Sequence, residues 1–198
     1  MKMKRNRLWL AWSVVAVFVA LGFSSCGGDY SPKPRGYFRI DLPKKAYTKF
    51  DSVGFPYSFE YPTYVKILPD MEKHVEPYWI NLSFKGYNAM LHISYKKVQG
   101  NLPALLEDAH TFVYKHTIKA DAILETAYGN SERKVYGTVY DIEGNAASAL
   151  QFYLTDSTKN FLRGALYFYN RPNKDSLAPV VKYFREDIIR MIDTFSWK

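Results

Sequence analysis

Apolar and polar side chains alternate along most of the chain, and this period of two predicts β-strands. Residues 133–142 are typical, because Val135 and Val139 fall on one side of the strand while Tyr136 and Tyr140 fall on the other. Short segments rich in Gly, Asn and Asp separate consecutive runs, as expected of turns. The predicted strands span residues 37–42, 55–61, 78–84, 89–97, 122–128, 133–142, 148–155 and 161–169.

Two segments instead repeat apolar residues every three or four positions, which predicts amphipathic helices. The first follows Asn101, a candidate N-cap, and has Pro103 in its first turn. The second opens near Asp175 or Ser176, and we expect its apolar stripe to seal the core. The stripes are Leu102, Leu105, Leu106, Ala109 and Val113 in the first helix, and Leu177, Val180, Val181, Phe184, Ile188, Met191, Ile192 and Phe195 in the second.

The order of strands, helix, strands and helix predicts a single α+β domain over residues 35–198. We expect an antiparallel sheet with the helices packed mainly on one face. The segment Phe59-Glu60-Tyr61-Pro62 and the final helical turns, residues 189–195, resemble the fold shared by photosystem II PsbP proteins and the nuclear import factor Mog1. This resemblance concerns the fold and does not decide the function.

An export signal is predicted for residues 1–25. Four positive charges and no acid precede the apolar run 8–23, and two serines stand directly before Cys26. This arrangement resembles a bacterial lipobox, which implies that the Cys26 sulfur is lipidated and that cleavage leaves Cys26 as the first residue. An uncleaved signal anchor is the alternative, although the run is short for a spanning helix of about 20 residues.

The tether that follows is predicted for residues 26–34, where two glycines and two prolines favour a chain without regular structure. Cys26 is the single cysteine of the chain, so an internal disulfide is excluded. One acyl chain gives only marginal membrane binding, and stable anchoring needs a second signal. Cys26 is therefore interpreted as a membrane anchor carrying two or three acyl chains, and not as a nucleophile.

Most of the positive charge lies in the predicted signal. The complete sequence is +8, but residues 1–25 hold four of the 27 Lys and Arg and none of the 19 Asp and Glu, so +4 remains beyond them. This mild excess forms no basic block of the kind that nucleic-acid binding requires. Together with export, it argues against nucleic acid as a partner.

The titratable residues show no pattern of a catalytic or metal site. His110 and His116 are six residues apart on the first predicted helix, so they do not share a face as a zinc-binding i, i+4 pair does. Glu186 and Asp187 are interpreted as part of a solvated helix face. A triad assembled across the fold stays open, but no catalytic residue, metal, cofactor or small-molecule substrate is predicted, and enzymatic activity is not expected.

Two sets of residues are candidates for binding a protein partner. Arg35, Tyr37, Arg39 and Asp41 alternate with apolar residues just after the tether, where their polar groups are available for pairing. The second set lies on the polar side of the later strands and contains the residue types enriched at interfaces, namely Tyr136, Tyr140, Tyr153, Arg163 and Tyr167. The alternative is that loops or residues 35–43 cover these tyrosines as ordinary cross-strand pairs.

A more specific resemblance rests on residues 29–43 (DYSPKPRGYFRIDLP), with further matches at 55–62 (FPYSFEYP) and 79–82 (WINL), and the overall length and the lipoprotein start extend it to the whole chain. These segments resemble the gliding motility lipoprotein GldD family of the Bacteroidetes. The resemblance implies a non-catalytic lipoprotein needed for gliding and for the associated type IX secretion system, assembling or stabilising envelope proteins through protein contacts. We expect it in the outer membrane, facing the periplasm. The alternative function is an envelope lipoprotein that binds a glycan or peptidoglycan.

Overall fold

The strands of this domain form two antiparallel sheets. The computed structural model describes residues 39–71, 74–170 and 173–198, which all belong to the unit Arg39–Lys198. The predicted signal and tether, with Cys26, Arg35 and Tyr37, lie outside the described residues. The strands are β1 (Tyr47–Phe50), β2 (Tyr57–Pro62), β3 (Lys66–Pro69), β4 (Ile80–Phe84), β5 (Ala89–Lys97), β6 (Ala120–Asn130), β7 (Val135–Gly144), β8 (Ser148–Thr155), β9 (Asn160–Phe168) and β10 (Ser196–Trp197), and the helices are α1 (Leu102–Tyr114) and α2 (Lys174–Thr194).

The larger sheet has the order β3-β4-β5-β9-β8-β7-β6, and the smaller sheet has the order β1-β2-β10. Strands β6 to β9 form a meander, because each pairs with the next along the chain. Strand β9 then returns beside β5, in a register that places Ser94 opposite Arg163. This pairing joins the early and late strands into one sheet.

Different helices cover the two faces of the larger sheet. Phe152 and Leu166 lie on the face that packs against α2 and the smaller sheet. Tyr140 and Phe161 lie on the other face and pack against α1. The prediction of helices mainly on one face is therefore wrong, because alternation shows which strand residues share a face but not which helix covers them.

Helix α2 closes the main core with the predicted apolar stripe. Asn173 caps the helix, since its side-chain oxygen accepts a 3.2 Å hydrogen bond from the Ser176 amide. Phe184 is fully buried, and its ring centroid lies 4.2 Å from that of Phe84. Asp187 is also buried on this face, which corrects the prediction of a solvated position.

The other differences from the predicted elements are local. Residues 39–42 form no strand, and the pattern does not indicate the short strands β1, β3 and β10. Helix α1 begins where expected, but the Asn101 side chain accepts its hydrogen bond from the Gln99 amide, not from a helical N–H. Among the described residues, neither helix combines the length and the apolar character of a membrane span.

Candidate functional site

A cavity of about 560 Å³ lies between α1 and the central strands of the larger sheet. Alternation turns Ser94 of β5 and Arg163 of β9 toward this side, where both line the cavity. Phe112 of α1 lines it from the helix. Its volume is within the range of about 300–1,000 Å³ that is typical of small-molecule sites.

Arg163 is the most unusual group of this cavity, because its charge is largely buried. One terminal nitrogen, Nη2, donates a 2.5 Å hydrogen bond to the neutral Gln151 side chain, and the guanidinium carbon lies 4.7 Å from the centroid of the Phe112 ring. The buried Nε atom has no hydrogen-bond acceptor. Burial lowers the pKa of the Arg163 guanidinium, and within the described residues no carboxylate forms an ion pair with it.

Further polar groups lie on the same face of the sheet. The register places Asn81 opposite His92, His92 opposite Ala165, and Ala165 opposite Gln151, so these residues form one row across four strands. Asn81 Oδ1 and Gln151 Nε2 are buried and lack a hydrogen-bond partner. Unpaired buried polar atoms are rare in folded proteins, so a group of three on one face, with Arg163 Nε, is notable.

Strained backbone holds the aromatic wall at the other end of the cavity. Tyr78 has φ 71°, a left-handed conformation that is unfavourable for a bulky residue. The adjacent Trp79 lines the cavity, and its indole nitrogen donates a 2.9 Å hydrogen bond to the Tyr95 carbonyl oxygen. The Tyr57 hydroxyl in turn donates a 2.5 Å hydrogen bond to the Tyr78 carbonyl oxygen. These two hydrogen bonds hold Tyr78 and Trp79 in place.

The remaining charges around the cavity are of both signs. Lys96 forms a 2.5 Å ion pair with Glu76, so its charge is compensated. The carboxylates of Asp70 and Asp108 also line the cavity. Of the two cations among the described residues that line the cavity, Lys96 and Arg163, only Arg163 is without a carboxylate partner.

Histidines lie near this face but do not form a cluster. His92 Nε2 lies 2.9 Å from the Tyr169 hydroxyl, and the His116 ring centroid lies 6.2 Å from that of Tyr167. Burial and the charge of Arg163 lower the pKa of His116. Within the part of the chain that the structure describes, no group of three or more His, Cys, Asp or Glu is arranged to hold a metal ion.

The predicted partner-binding tyrosines do not form an open face. Tyr140 is only 4% exposed, because it packs against Val113 of α1, and Tyr153 is half-buried against Phe161. Tyr136 is exposed at 38% and Tyr167 is half-buried at the cavity. The expectation of an open tyrosine face is therefore corrected, since a helix and not a loop covers its centre.

The other predicted set begins the described chain, and we call residues Arg39–Pro43 the strap. The side chains of Arg39 and Asp41 are 91% and 85% exposed and form a local 3.1 Å ion pair with each other. The strap backbone is nevertheless held to the domain. The Asp41 carbonyl oxygen accepts a 2.7 Å hydrogen bond from the Tyr87 hydroxyl, and the Pro43 carbonyl oxygen accepts one from the Tyr183 hydroxyl.

A buried carboxylate holds the chain immediately after the strap. Asp187 of α2 accepts hydrogen bonds from the hydroxyls of Tyr47, at 2.6 Å, and Tyr64. Lys45 Nζ lies 3.3 Å from Asp187 and 2.5 Å from Glu186. We call these five residues the clamp. They link the segment before β1 to the middle of α2.

A second cavity, of about 570 Å³, lies between α2 and strands β6 and β7. Two ion pairs line it, because Arg185 lies 2.7 Å from Asp141 and Lys174 lies 2.6 Å from Asp121. The arginine of this cavity therefore has a carboxylate partner, unlike Arg163 in the first cavity.

An antiparallel sheet with a helix on each face and a small second sheet defines a PsbP-like α+β domain. The solution structure of cyanobacterial PsbP (CyanoP) from Synechocystis sp. PCC 6803 matches with a TM-score of 0.50 and 13% sequence identity, over 85% of this chain and 100% of that chain. At this identity the likeness shows the fold alone, and it confirms the predicted fold class.

The family is shown by sequence. A family model described as gliding motility lipoprotein GldD matches residues 27–197, so the chain belongs to this family, as its resemblance predicts. Membership of a lipoprotein family implies anchoring at a membrane of the cell envelope. Among curated proteins, none is significantly similar in sequence to this chain.

The structure brings together part of the predicted site and adds residues to it. Arg163, Tyr153 and Tyr167 lie on one face, whereas Arg39 and Asp41 belong to the strap. Trp79, Phe112 and Gln151 are not predicted as site residues, although they surround Arg163 or its cavity. The one signal in the sequence is an arginine between Leu162 and Gly164 in an otherwise apolar strand.

Proposed function

We propose that this protein is a non-catalytic assembly or stabilising module of the gliding machinery and of the associated type IX secretion system. A lipid on Cys26 would hold it in the outer membrane, facing the periplasm, where it docks an envelope protein through the strap. Membership of the GldD family supports this function. The position of the strap supports the docking surface.

The observation that carries the docking proposal is the way in which the strap is fastened. Its contacts with Tyr87 and Tyr183 are made by backbone carbonyl oxygens, so they do not use its side chains. A strap that served only for packing would bury its apolar side chains. Ile40 and Leu42 are instead 38% and 36% exposed, and they stand beside the exposed Arg39 and Asp41. Mixed charged and apolar side chains on a fixed backbone suit a protein interface.

The clamp supports the same function by fixing the chain next to the strap. Tyr47 and Lys45 contact a buried carboxylate, so the segment directly after the strap is held to the domain. A fixed backbone reduces the conformational entropy that a partner must remove on binding. The strap is therefore already ordered for docking.

The test is the double substitution Arg35→Ala with Arg39→Ala in the native host. We expect near-normal abundance, because exposed substitutions usually change stability by no more than about 0.5 kcal/mol. Colony spreading and secretion of type IX cargo should fall, and partners crosslinked to the wild-type protein should be lost. The matched control, Lys85→Ala with Lys97→Ala, also removes two positive charges from exposed positions and should keep both activities.

Full spreading and secretion by the strap variant at wild-type abundance would reject docking through the strap. Equal losses in the strap variant and the control would indicate a general effect of charge and would reject it as well.

A further inference from the structure

We propose that the cavity beneath α1 binds a small ligand that carries one carboxylate on an apolar or aromatic body, with Arg163 as the carboxylate-binding residue. This inference goes beyond the assembly function proposed above and does not depend on it. Guanidinium and carboxylate groups are matched in shape and charge, and they form strong charge-assisted hydrogen bonds.

The unpaired charge of Arg163 is the first step of the argument. A buried cation is costly unless a counter-charge and hydrogen bonds compensate it. The partners of Arg163 are neutral, namely the Gln151 amide oxygen, the Tyr167 hydroxyl and the Phe112 ring, and its Nε atom lacks an acceptor. A carboxylate within the cavity would supply the missing counter-charge.

The other charges of the cavity restrict the ligand to a single negative charge. Lys96 is already neutralised by Glu76. Asp108 lines the same cavity, and Lys96 and Arg163 are the only lysine and arginine among the described residues that line it, so a phosphate monoester or a dicarboxylate would meet repulsion that these residues do not offset. A monocarboxylate satisfies Arg163 at the smallest cost in repulsion.

The walls indicate the nature of the ligand's body. Trp79, Phe112 and Tyr167 present aromatic surface to a volume of about 560 Å³, and Leu105 and Ile93 add aliphatic surface. Small-molecule sites commonly combine such apolar walls with a few fixed polar groups. The body of the ligand is therefore apolar, aromatic or the flat face of a sugar ring.

The strained Tyr78 is an independent observation at the same site. Tyr78, with φ 71°, directly precedes Trp79, which lines the cavity wall. Such strain costs about 1–3 kcal/mol and is concentrated at functional sites in proteins. The Tyr78 ring packs against Phe55 and Tyr95, so the strained residue lies where the core meets the wall of the cavity.

The first experiment compares matched probes on the full lipidated chain purified in detergent. Phenylacetate and its neutral isostere phenylacetamide are titrated, with calorimetry and tryptophan fluorescence as readouts. We expect phenylacetate to bind at least about tenfold more tightly than the amide. Equal affinities, or no binding of phenylacetate to the folded protein, would overturn the proposal.

Two further pairs of probes distinguish the sources of the carboxylate. N-acetyl-alanyl-alanine is compared with its C-terminal amide, and glucuronate is compared with glucose. A preference for the carboxylate in the peptide pair identifies a peptide end as the ligand, and a preference in the sugar pair identifies a sugar acid. If neither of these two pairs shows a preference, the ligand is assigned to the aromatic carboxylates, since the phenylacetate pair alone decides whether the proposal stands.

Substitutions then assign the preference to Arg163. Arg163→Gln should abolish the difference between phenylacetate and phenylacetamide, and Arg163→Lys, which keeps the charge but not the planar fork, should reduce it. The control Arg133→Gln changes a half-buried arginine outside the cavity and should retain the full difference. An unchanged preference in folded Arg163→Gln would overturn the assignment.

If neither Arg163 variant folds, the ratio of the wild-type protein's affinities for phenylacetate and phenylacetamide decides the outcome. Because every readout is binding by purified protein, failure here is distinguishable from failure of strap docking, which is measured by spreading and secretion in cells.

Discussion

The Tyr47 hydroxyl donates a 2.6 Å hydrogen bond to Asp187, a residue 140 positions later in the chain. Tyr64 donates to the second oxygen of the same carboxylate, and Lys45 approaches it to 3.3 Å. Asp187 is 1% exposed, so these contacts compensate a carboxylate that water cannot reach. The start of the smaller sheet is thereby tied to α2.

Asp187→Asn should destabilise the domain by about 1–3 kcal/mol, because an amide cannot accept both phenolic hydrogen bonds and leaves Lys45 without its buried counter-charge. Urea unfolding of the purified protein measures this loss. Asp193→Asn is the matched control, since Asp193 is an exposed acid on the same helix. Equal stability of the two variants would show that the clamp contributes nothing.

The clamp also predicts a dependence of stability on alkaline pH. Burial, the hydrogen bond to Asp187 and the charge of Asp187 raise the pKa of Tyr64 above its ordinary value. The folded state therefore keeps this proton at a pH where the unfolded chain, with a phenol pKa of about 10, has lost it. The stabilisation is fully present below about pH 10 and is lost as pH rises toward the folded pKa.

Tyr64→Phe removes this titration. The wild-type advantage in unfolding free energy over Tyr64→Phe should shrink above pH 10, by up to about 1.4 kcal/mol per pH unit. Denaturant unfolding at several alkaline pH values measures the difference. The exposed Tyr136→Phe serves as the control. A constant advantage from pH 9 to 12 would contradict the linkage.

Phe184→Ala should cost about 3–5 kcal/mol, which is the typical loss for a buried phenylalanine. Its ring is fully buried, and the ring centroid lies 4.2 Å from that of Phe84 and 5.2 Å from that of Tyr87. This is a large part of the ~5–15 kcal/mol that stabilises most domains, so cellular abundance should also fall. Thermal unfolding measures the change, and Ile118→Ala, at a position 90% exposed, should leave the melting temperature unaltered.

Cys26→Ala should prevent lipidation, because Cys26 is the single cysteine of the chain and no other residue can form the thioether to the lipid. Radiolabelled fatty acid should no longer be incorporated, and the protein should remain unprocessed or leave the membrane fraction. Ser24→Ala keeps a small residue near the cleavage site and should be processed normally. Recovery of Cys26→Ala in membranes at the mature size, with its lipid label intact, would refute the anchor.

The long elements could be predicted from the sequence because their periodicity is strong. Strand β8 spans the predicted residues 148–155, and the stripe of α2 is buried as expected. The short strands β1 and β3 carry only four residues each and are partly exposed, so their pattern is too brief to indicate a strand. Residues 39–42 alternate as a strand would, but a strand also needs a neighbour to pair with, and alternation does not reveal one.

The candidate site was less predictable for a related reason. Alternation correctly places Arg163, Tyr153 and Tyr140 on one face of the sheet. It does not reveal that α1 covers this face, so residues expected at the surface are partly buried. Trp79, the residue directly before β4, lines the same cavity, and the pairing of β5 with β9 brings this end of the sheet beside Arg163.

The attachment of the strap and clamp also has a mechanical consequence. A pulling force on the chain ahead of Arg39 meets the hydrogen bonds of Tyr87 and Tyr183 and the contacts of Lys45 and Tyr47 with α2 before it reaches the β1–β2 pairing. These contacts distribute the force between the loop that joins β4 to β5 and helix α2. An edge strand that is pulled from its end would instead lose its hydrogen bonds one after another. A force transmitted along the chain through residues 41–47 would therefore be borne by α2 before the smaller sheet is opened.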